Sequence, residues 1–212
     1  MLKRTATEIV GGLTQTSKMP CQSYSLPTIA CKTGFRMAKI SGSICSLCYA
    51  DRGFYAMYRA TIEPAQVARL FSLDDAQWAD AMVTLIDRAP YFRWHDSGDI
   101  QSLDHLEQIA DVAARTPECQ HWLPTREYSI VAAYLAQYGD FPSNLCVRLS
   151  AMFADKPVKV PQSIDASKIG ISNVHSSKDA IGHSCPAYTR GGKCGDCRAC
   201  WDKTIPVSYP LH

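Results

Sequence analysis

Between residues 91 and 176 the chain alternates short strand-like runs with amphipathic stretches, and no other feature narrows the fold as far. YFRWH (91–95), CQHWLPT (119–125), NLCVRLSAM (144–152) and SKIGISNVHS (167–176) read as strands. LDHLEQIADVAART (103–116) and EYSIVAAYLAQYG (127–139) read as helices, the second stopped by Gly139. Strand, helix and strand at this spacing build parallel βαβ units. Upstream, SYSLPTIAC (23–31) is a further strand. Helical patterns run from Phe54 to Leu70, with Pro64 interrupting, and from Asp74 to Arg88, with Ser72 as its cap. The first helix shows Tyr58, Ile62, Val67 and Leu70 as apolar positions; the second shows Trp78, Met82, Leu85 and Ile86. About five strands and three or four helices are too few for an eight-unit barrel. The expected fold is α/β: an incomplete (β/α) barrel or an open parallel sheet with a Cys-rich C-terminal cap. Without a linker or repeat, a single domain is expected over 1–212, with a loose polar lead-in (1–20), an α/β core (23–176) and a Cys-rich segment (177–212).

The C-terminal segment carries the strongest chemical signal. In CPAYTRGGKCGDCRAC (185–200), Cys194, Cys197 and Cys200 repeat at every third position, and Cys185 precedes a proline. Those are the ingredients of a bacterial ferredoxin ligand set, here with the Cys-Pro upstream. A [4Fe–4S] cubane offers iron at four separated corners, so one short loop can wrap it, and Gly191, Gly192 and Gly195 permit tight turns. Zinc is the competing ion, because four thiolates also make a tetrahedral structural site. Trp201 follows Cys200 and reads as either a shield for the site or a core residue.

Ten cysteines in 212 residues need a reason. A disulfide framework fits poorly, because the N-terminal stretch lacks the apolar core of an export signal and a chain this long can bury its own core. A reducing, cytoplasmic setting is expected, with metal as the role for paired cysteines. The net charge of +2 and the lack of basic runs argue against tight nucleic-acid binding, and no apolar stretch reaches the length of a membrane span. Cys31, Cys45 and Cys48 form a second set after the first strand, and they suggest a three-thiolate cluster with one iron left open for S-adenosylmethionine. Position 41, where a compact C-x3-C-x2-C motif would place its first cysteine, is Ser. These residues leave open one cluster sharing both sets or two separate clusters. Cys21, Cys119 and Cys146 read as small buried hydrophobes.

The third constellation is FRWHDSGDIQS (92–102), which puts Arg93, His95, Asp96, Ser97 and Asp99 at the C-terminal end of a strand. Ligands and catalytic groups gather there in parallel α/β folds. Helix capping by Asp99 or Ser102 is the structural alternative. Thr125, Arg126, Arg148 and Ser150 are expected on the same rim, with Asn173 and His175 as a further contribution, giving a polar pocket for an anionic or carboxylate group. His95, Asp96, Ser97, Asp99, Arg93 and Arg148 are thus the candidate catalytic residues. There is no phosphate-binding glycine loop, nucleophile elbow or H-E-x-x-H.

In combination, CSLCYADRGFY, RWHDSGD, PTRE, VRLSAM and KCGDCRACWD resemble a family of tailed-phage proteins, the gene product 88 family, from about Thr28 onward. The resemblance implies a barrel-like α/β core distantly related to radical S-adenosylmethionine enzymes, and iron–sulfur binding. It carries over Cys45, Cys48, Cys185, Cys194, Cys197 and Cys200 as metal ligands, and His95, Asp96, Ser97 and Asp99 as the strand-end motif. It transfers no activity. A phage-encoded chain would work in the host cytoplasm with a redox or host protein partner. Three functions follow as expectations: an iron–sulfur protein with redox or structural use, a radical enzyme, and a zinc-stabilised module contacting its partner through Tyr188, Arg190, Lys193 and Arg198.

Overall fold

The computed structural model describes residues 1–176 and 179–211, without the side chains of Gly53 and Phe54. In chain order it contains α1 (Lys3–Val10), β1 (Thr14–Gln15), β2 (Gln22–Tyr24), α2 (Lys32–Met37), α3 (Gly53–Met57), α4 (Arg59–Ser72), α5 (Trp78–Ile86), β3 (Tyr91–Trp94), α6 (Leu103–Arg115), β4 (Gln120–Thr125), α7 (Tyr128–Tyr138), β5 (Leu145–Ser150), β6 (Gly170–His175), β7 (His183–Ser184) and β8 (Val207–Pro210). The strands form one open sheet in the order β1-β2-β3-β4-β5-β6-β8-β7. Every pairing is parallel except β1 with β2. The fold is therefore an open, mostly parallel α/β sheet, as the alternation from 91 onward implies. All six residues of β5 are buried, as expected of a central parallel strand covered on both faces.

One face is covered by helices. Tyr24, Phe92 and Trp94 from the strands meet Trp78 of α5 in a packed aromatic group. On the same face His121 accepts the Trp94 Nε1–H at its Nδ1 (3.2 Å), so its Nε2 carries the proton toward Thr116 Oγ1 (2.9 Å). Thr116 passes its own hydroxyl proton to the Val112 carbonyl (2.7 Å).

The opposite face is covered by the chain's two ends. Met19, Cys21, Trp122 and Trp201 form a second apolar cluster, with Cys194, Cys200 and Tyr209 packed against it. Trp201 donates its indole N–H to the Phe92 carbonyl (3.0 Å) and packs edge-on to Trp122. It is a core residue that also lies beside Cys200.

Several local expectations need correcting. The lead-in is not loose: α1 packs on α5 and buries Ala6 and Val10 completely. Gly11, at φ 72°, ends that helix in the left-handed region. Ser72 does not cap α5; it is the last residue of α4, and its hydroxyl bonds within the Tyr24–Arg69–Val10 group. Pro64 does not break α4, because Ala60, whose carbonyl loses its amide partner, lies exposed at the helix start where water can replace it. Helix α4 docks through buried polar residues, Gln66 and Arg69, while Tyr58 and Phe71 are exposed. Arg69 bonds the Gly11 and Gly12 carbonyls and the Thr14 and Ser25 hydroxyls. The short strands β1, β7 and β8 extend the sheet beyond the expected set. Among the described residues no helix is long and apolar enough to cross a membrane.

Candidate functional site

Beyond the C-terminal ends of β3, β4 and β5 the chain closes over a cavity of about 910 Å³, within the roughly 300–1,000 Å³ usual for small-molecule sites. Three ties hold the loop between residues 25 and 58 above it. Tyr55 donates to the Asp96 carboxylate (2.7 Å) and Tyr49 to the Asp96 backbone carbonyl, fixing the loop to the end of β3. Glu127, just past β4, accepts from the Thr33 amide (2.7 Å) and hydroxyl (2.8 Å), anchoring α2. Ile44 N–H reaches the Met152 carbonyl past β5 (2.9 Å).

This loop delivers Cys31, Cys45 and Cys48 to the cavity wall. Cys45 and Cys48 sit on consecutive tight turns. A Cβ at Gly34 would stand 2.9 Å from Cys31 Cβ, 3.6 Å from Cys31 Sγ and 3.8 Å from Cys45 Sγ. Both sulfurs therefore face one hollow that only glycine leaves open. Burial pushes all three thiols up, and nearby Asp99 adds to this at Cys31 and Cys45.

The second thiol set arrives from the other side. Cys185 is placed by its amide bonding the Ser208 carbonyl of β8 (2.8 Å), and Cys194 by its amide bonding the Lys18 carbonyl (2.9 Å). Gly191, Gly192 and Gly195 all have positive φ, so the run from 190 to 197 turns as its glycines predict. Cys185, Cys194 and Cys200 line the same cavity as the first set. Cys197 does not; its Sγ lies 3.4 Å from His183 Nε2. Cys200 Sγ lies 3.2 Å from the Tyr209 hydroxyl, and burial pushes this thiol up to about 11. All ten cysteines are free thiols, and Cys21, Cys119 and Cys146 are buried as expected. Among the described residues no three His, Cys, Asp or Glu side chains converge closely enough to hold one metal ion. A single zinc, with Zn–S near 2.3 Å, would need the thiols to draw together. A cubane's four separated corners ask for less convergence. Soft thiolates are also the donors that clusters select.

The strand-end motif divides into structural and open groups. Asp96 accepts from Ser23 (2.8 Å) as well as Tyr55. Ser97 accepts from Gln66 (2.7 Å) and donates to the Leu26 carbonyl (2.9 Å). Asp99 accepts from the Thr125 hydroxyl (2.6 Å) and the amides of Arg126 (2.9 Å) and Ile100 (2.8 Å). Burial raises its carboxyl to about 6 while those bonds pull it back. Gly98, at φ 78°, lies so close to the chain at Leu26 that a Cβ would come within 2.8 Å of that carbonyl oxygen. Asp96, Ser97 and Asp99 thus hold the rim together. Ser102 caps α6 by accepting from the His105 amide.

His95 differs. It borders the cavity, is 3 % exposed, has φ 52°, and neither ring nitrogen has a hydrogen-bond partner. A non-glycine residue in the left-handed region with enclosed, unsatisfied nitrogens marks a functional position more often than a structural one. Burial, with His105 and Arg93 nearby, holds it well below the usual imidazole range, so it is neutral.

Arg148 is not on the rim, contrary to the sequence expectation. It lies mid-strand, fully buried, and bonds the carbonyls of Cys200 (3.4 Å), Ile171 (2.6 Å), Ile205 (2.9 Å), Ala199 (3.0 Å) and Asp202 (2.6 Å). It clamps the C-terminal segment to the sheet. Arg126 does reach the cavity, and its Nε donates to the Ala151 carbonyl (3.0 Å). Thr125, Ser150 and Asn173 line it too, whereas His175 does not; its Nδ1 pairs with Ser208 Oγ (2.8 Å). Sequence reasoning missed Tyr49, Tyr55, Trp122, His183 and Tyr209. The first two stand in the quoted CSLCYADRGFY run, and the last three carried no local signal.

No curated protein and no solved structure matches this chain. A family model described as Gene product 88 matches residues 1–203, and the chain belongs to that family.

Proposed function

We propose that this chain is an iron–sulfur protein in which Cys185, Cys194, Cys197 and Cys200 hold a [4Fe–4S] cluster at the wall of a small-molecule cavity. The observation that carries this is the meeting of both thiol sets: Cys185, Cys194 and Cys200 of the tetrad border one space with Cys31, Cys45, Cys48 and His95, and Cys197, whose sulfur lies against His183, would turn inward as the fourth ligand. Such a cluster, when bound, supplies one-electron transfer or a rigid crosslink. The chain's own groups do the rest. Arg148 fastens the run that carries Cys200, Trp201 covers its sheet side, and Tyr209 offers a hydroxyl to the Cys200 sulfur. Asp96, Ser97 and Asp99 hold the opposite wall in place, and neutral His95 offers one donor and one acceptor. The test is metal content in single variants. Cys197→Ser should lose most of its bound iron while Cys119→Ser, a thiol buried in the helix-side core away from the cavity, keeps it. Full iron retention in Cys197→Ser would reject the assignment.

A second reading rests on the position of Cys31, Cys45 and Cys48, which follow the first parallel strand and face the cavity. Three thiolates there would hold a second cluster with one iron open to S-adenosylmethionine. Reduced protein incubated with that cofactor should then release 5′-deoxyadenosine. Intact cofactor, with a reduced cluster present, would remove this reading. Stoichiometric zinc in place of iron would instead make the tetrad a structural site.

A further inference from the structure

The two stretches that deliver thiols to the cavity are also basic. Residues 25–58 hold Lys32, Arg36, Lys39 and Arg52 against Asp51 alone, a balance of +3. Residues 185–200 hold Arg190, Lys193 and Arg198 against Asp196, a balance of +2. The whole chain is only +2, so the residues outside these two stretches sum to −3. Much of that acid lies on the helices over one face of the sheet. Residues 74–88 and 103–118, which contain α5 and α6, hold eight acidic residues against Arg88 and Arg115. The molecule is therefore polarised, basic at the thiol stretches and acidic along α5 and α6, and a net charge near zero conceals it.

The basic side chains are accessible and unmatched. Lys32, Arg36, Lys39, Arg52, Arg190 and Lys193 are exposed, and among the described residues none of them forms an ion pair. Asp51, the one acid of the first stretch, faces Arg59 instead (3.9 Å). Apolar side chains stand in the open among these charges. Ile29 is 73 % exposed, Met57 72 % and Phe35 52 %, with Lys39 Nζ 4.5 Å from the centre of the Phe35 ring. Ile29, Phe35 and Leu47 are exposed and also border the cavity, so this surface is its mouth.

Apolar groups exposed together beside a cavity mark a surface that another molecule covers. An apolar centre with a charged margin is the composition of a protein interface. A nucleic-acid strand would use the basic groups and the Phe35 ring, but not Ile29 or Met57. Helix α2, with six residues, is too short to lay an apolar stripe along a bilayer.

We propose that the cavity mouth docks an acidic one-electron carrier protein, whose charge turns it toward the thiol stretches and away from α5 and α6. That the partner is an electron carrier rests on the iron–sulfur reading; the docking surface itself needs no metal. The docked carrier gives up one electron and the cluster behind the mouth takes it.

The test is calorimetric titration of the full chain with flavodoxin, a small acidic one-electron carrier. An oligothymidylate and vesicles of phosphatidylcholine and phosphatidylserine serve as the competing anionic surfaces. Flavodoxin should bind more tightly than either, and its affinity should fall about tenfold or more from about 20 to about 200 mM salt. Lys32→Glu, Arg36→Glu and Lys39→Glu combined should weaken it by a similar factor, whereas Asp74→Lys, on the acidic side, should not weaken it. Ile29→Ser with Met57→Ser should weaken docking and leave its salt dependence unchanged. The comparison among the three anionic surfaces uses the unaltered protein, so it decides even where a variant misfolds. No binding of flavodoxin, tighter binding of the oligonucleotide or the vesicles, or charge reversal without effect would each overturn the proposal. Cys197→Ser separates the two readings. Docking that survives the loss of iron leaves the surface standing without the cluster, and docking lost with the iron contradicts it. Iron-loaded protein that fails to dock defeats the docking proposal alone.

Discussion

Arg148→Met is expected to lower the unfolding free energy by about 3 kcal/mol or more. Methionine keeps the apolar stem but withdraws every donor from the five carbonyls that Arg148 now serves. Of these, Ala199 and Asp202 each keep one backbone amide as donor, from Asp202 and Ile205, so the loss falls hardest on the carbonyls of Cys200 and Ile205. Each buried acceptor left alone costs roughly 1–3 kcal/mol, less whatever water regains. Arg148→Lys should rescue little, because a single ammonium with three donors cannot reach carbonyls spread across β6 and the C-terminal run. Chemical denaturation gives the free energy. Limited proteolysis near residues 194–205 shows whether the clamp has opened. Unchanged stability with unchanged protease resistance would contradict the clamp. If the tetrad holds the cluster, the same variant should also lose iron, because Cys200 shares the stretch that Arg148 fastens.

Acid should destabilise the protein well before general carboxylate protonation. Burial holds His121 down to about 4 and His105 down to about 3, against the usual 6.5. A folded-state value below the unfolded one means stability fully present above pH 6.5 and lost as pH falls toward the folded value. For His121 the interval corresponds to about 3 kcal/mol, at 1.36 kcal/mol per unit. The cause beyond burial is visible in its bonds: a proton on Nδ1 would point at the Trp94 N–H that this nitrogen now accepts. His105 is in the same position, since its Nδ1 accepts the Gln101 amide (3.2 Å). Asp99 acts in the opposite sense. Its carboxyl, raised to about 6, takes up a proton more readily in the folded state and so favours folding as pH falls. These two histidines, with His95, which burial also holds well below the usual imidazole range, outweigh that one carboxyl, so the thermal midpoint should fall steadily from pH 6.5 to 4.5. His121→Phe should start less stable but show a shallower fall. A flat profile over that range would contradict the locked tautomer.

The middle of the fold was legible because β3 to β6 and the helices between them carry strong, separate periodicities, and each boundary fell within a few residues of its expected place. The ends were not. Strands of two to four residues such as β1, β7 and β8 exist only because a neighbour offers a free edge, and their sequences hold no alternation to read. Helix α4 misleads for a different reason. Its periodic apolar positions suggest a buried stripe, yet Gln66 and Arg69 are what it buries, since they meet Ser97 and the turn after α1. Within the site the residue types were legible and their assembly was not. Cys31 and Cys200 lie far apart in the chain, and their meeting depends on the path of two loops pinned by Asp96, Glu127 and Arg148. Arg148 was misplaced because a strand residue's face can be counted, while the segment that will cover that face cannot. His95 stood out from its charged neighbours only once their bonds were known.

The central claim is that the thiols around the cavity hold an iron–sulfur cluster. The most direct measurement is iron, acid-labile sulfide and zinc per chain in protein purified without oxygen, together with its visible spectrum. A brown protein bleached by dithionite is expected, with iron and sulfide nearly equal at about four per chain for one cluster or about eight for two. A colourless protein carrying one zinc per chain, or neither metal, would contradict it.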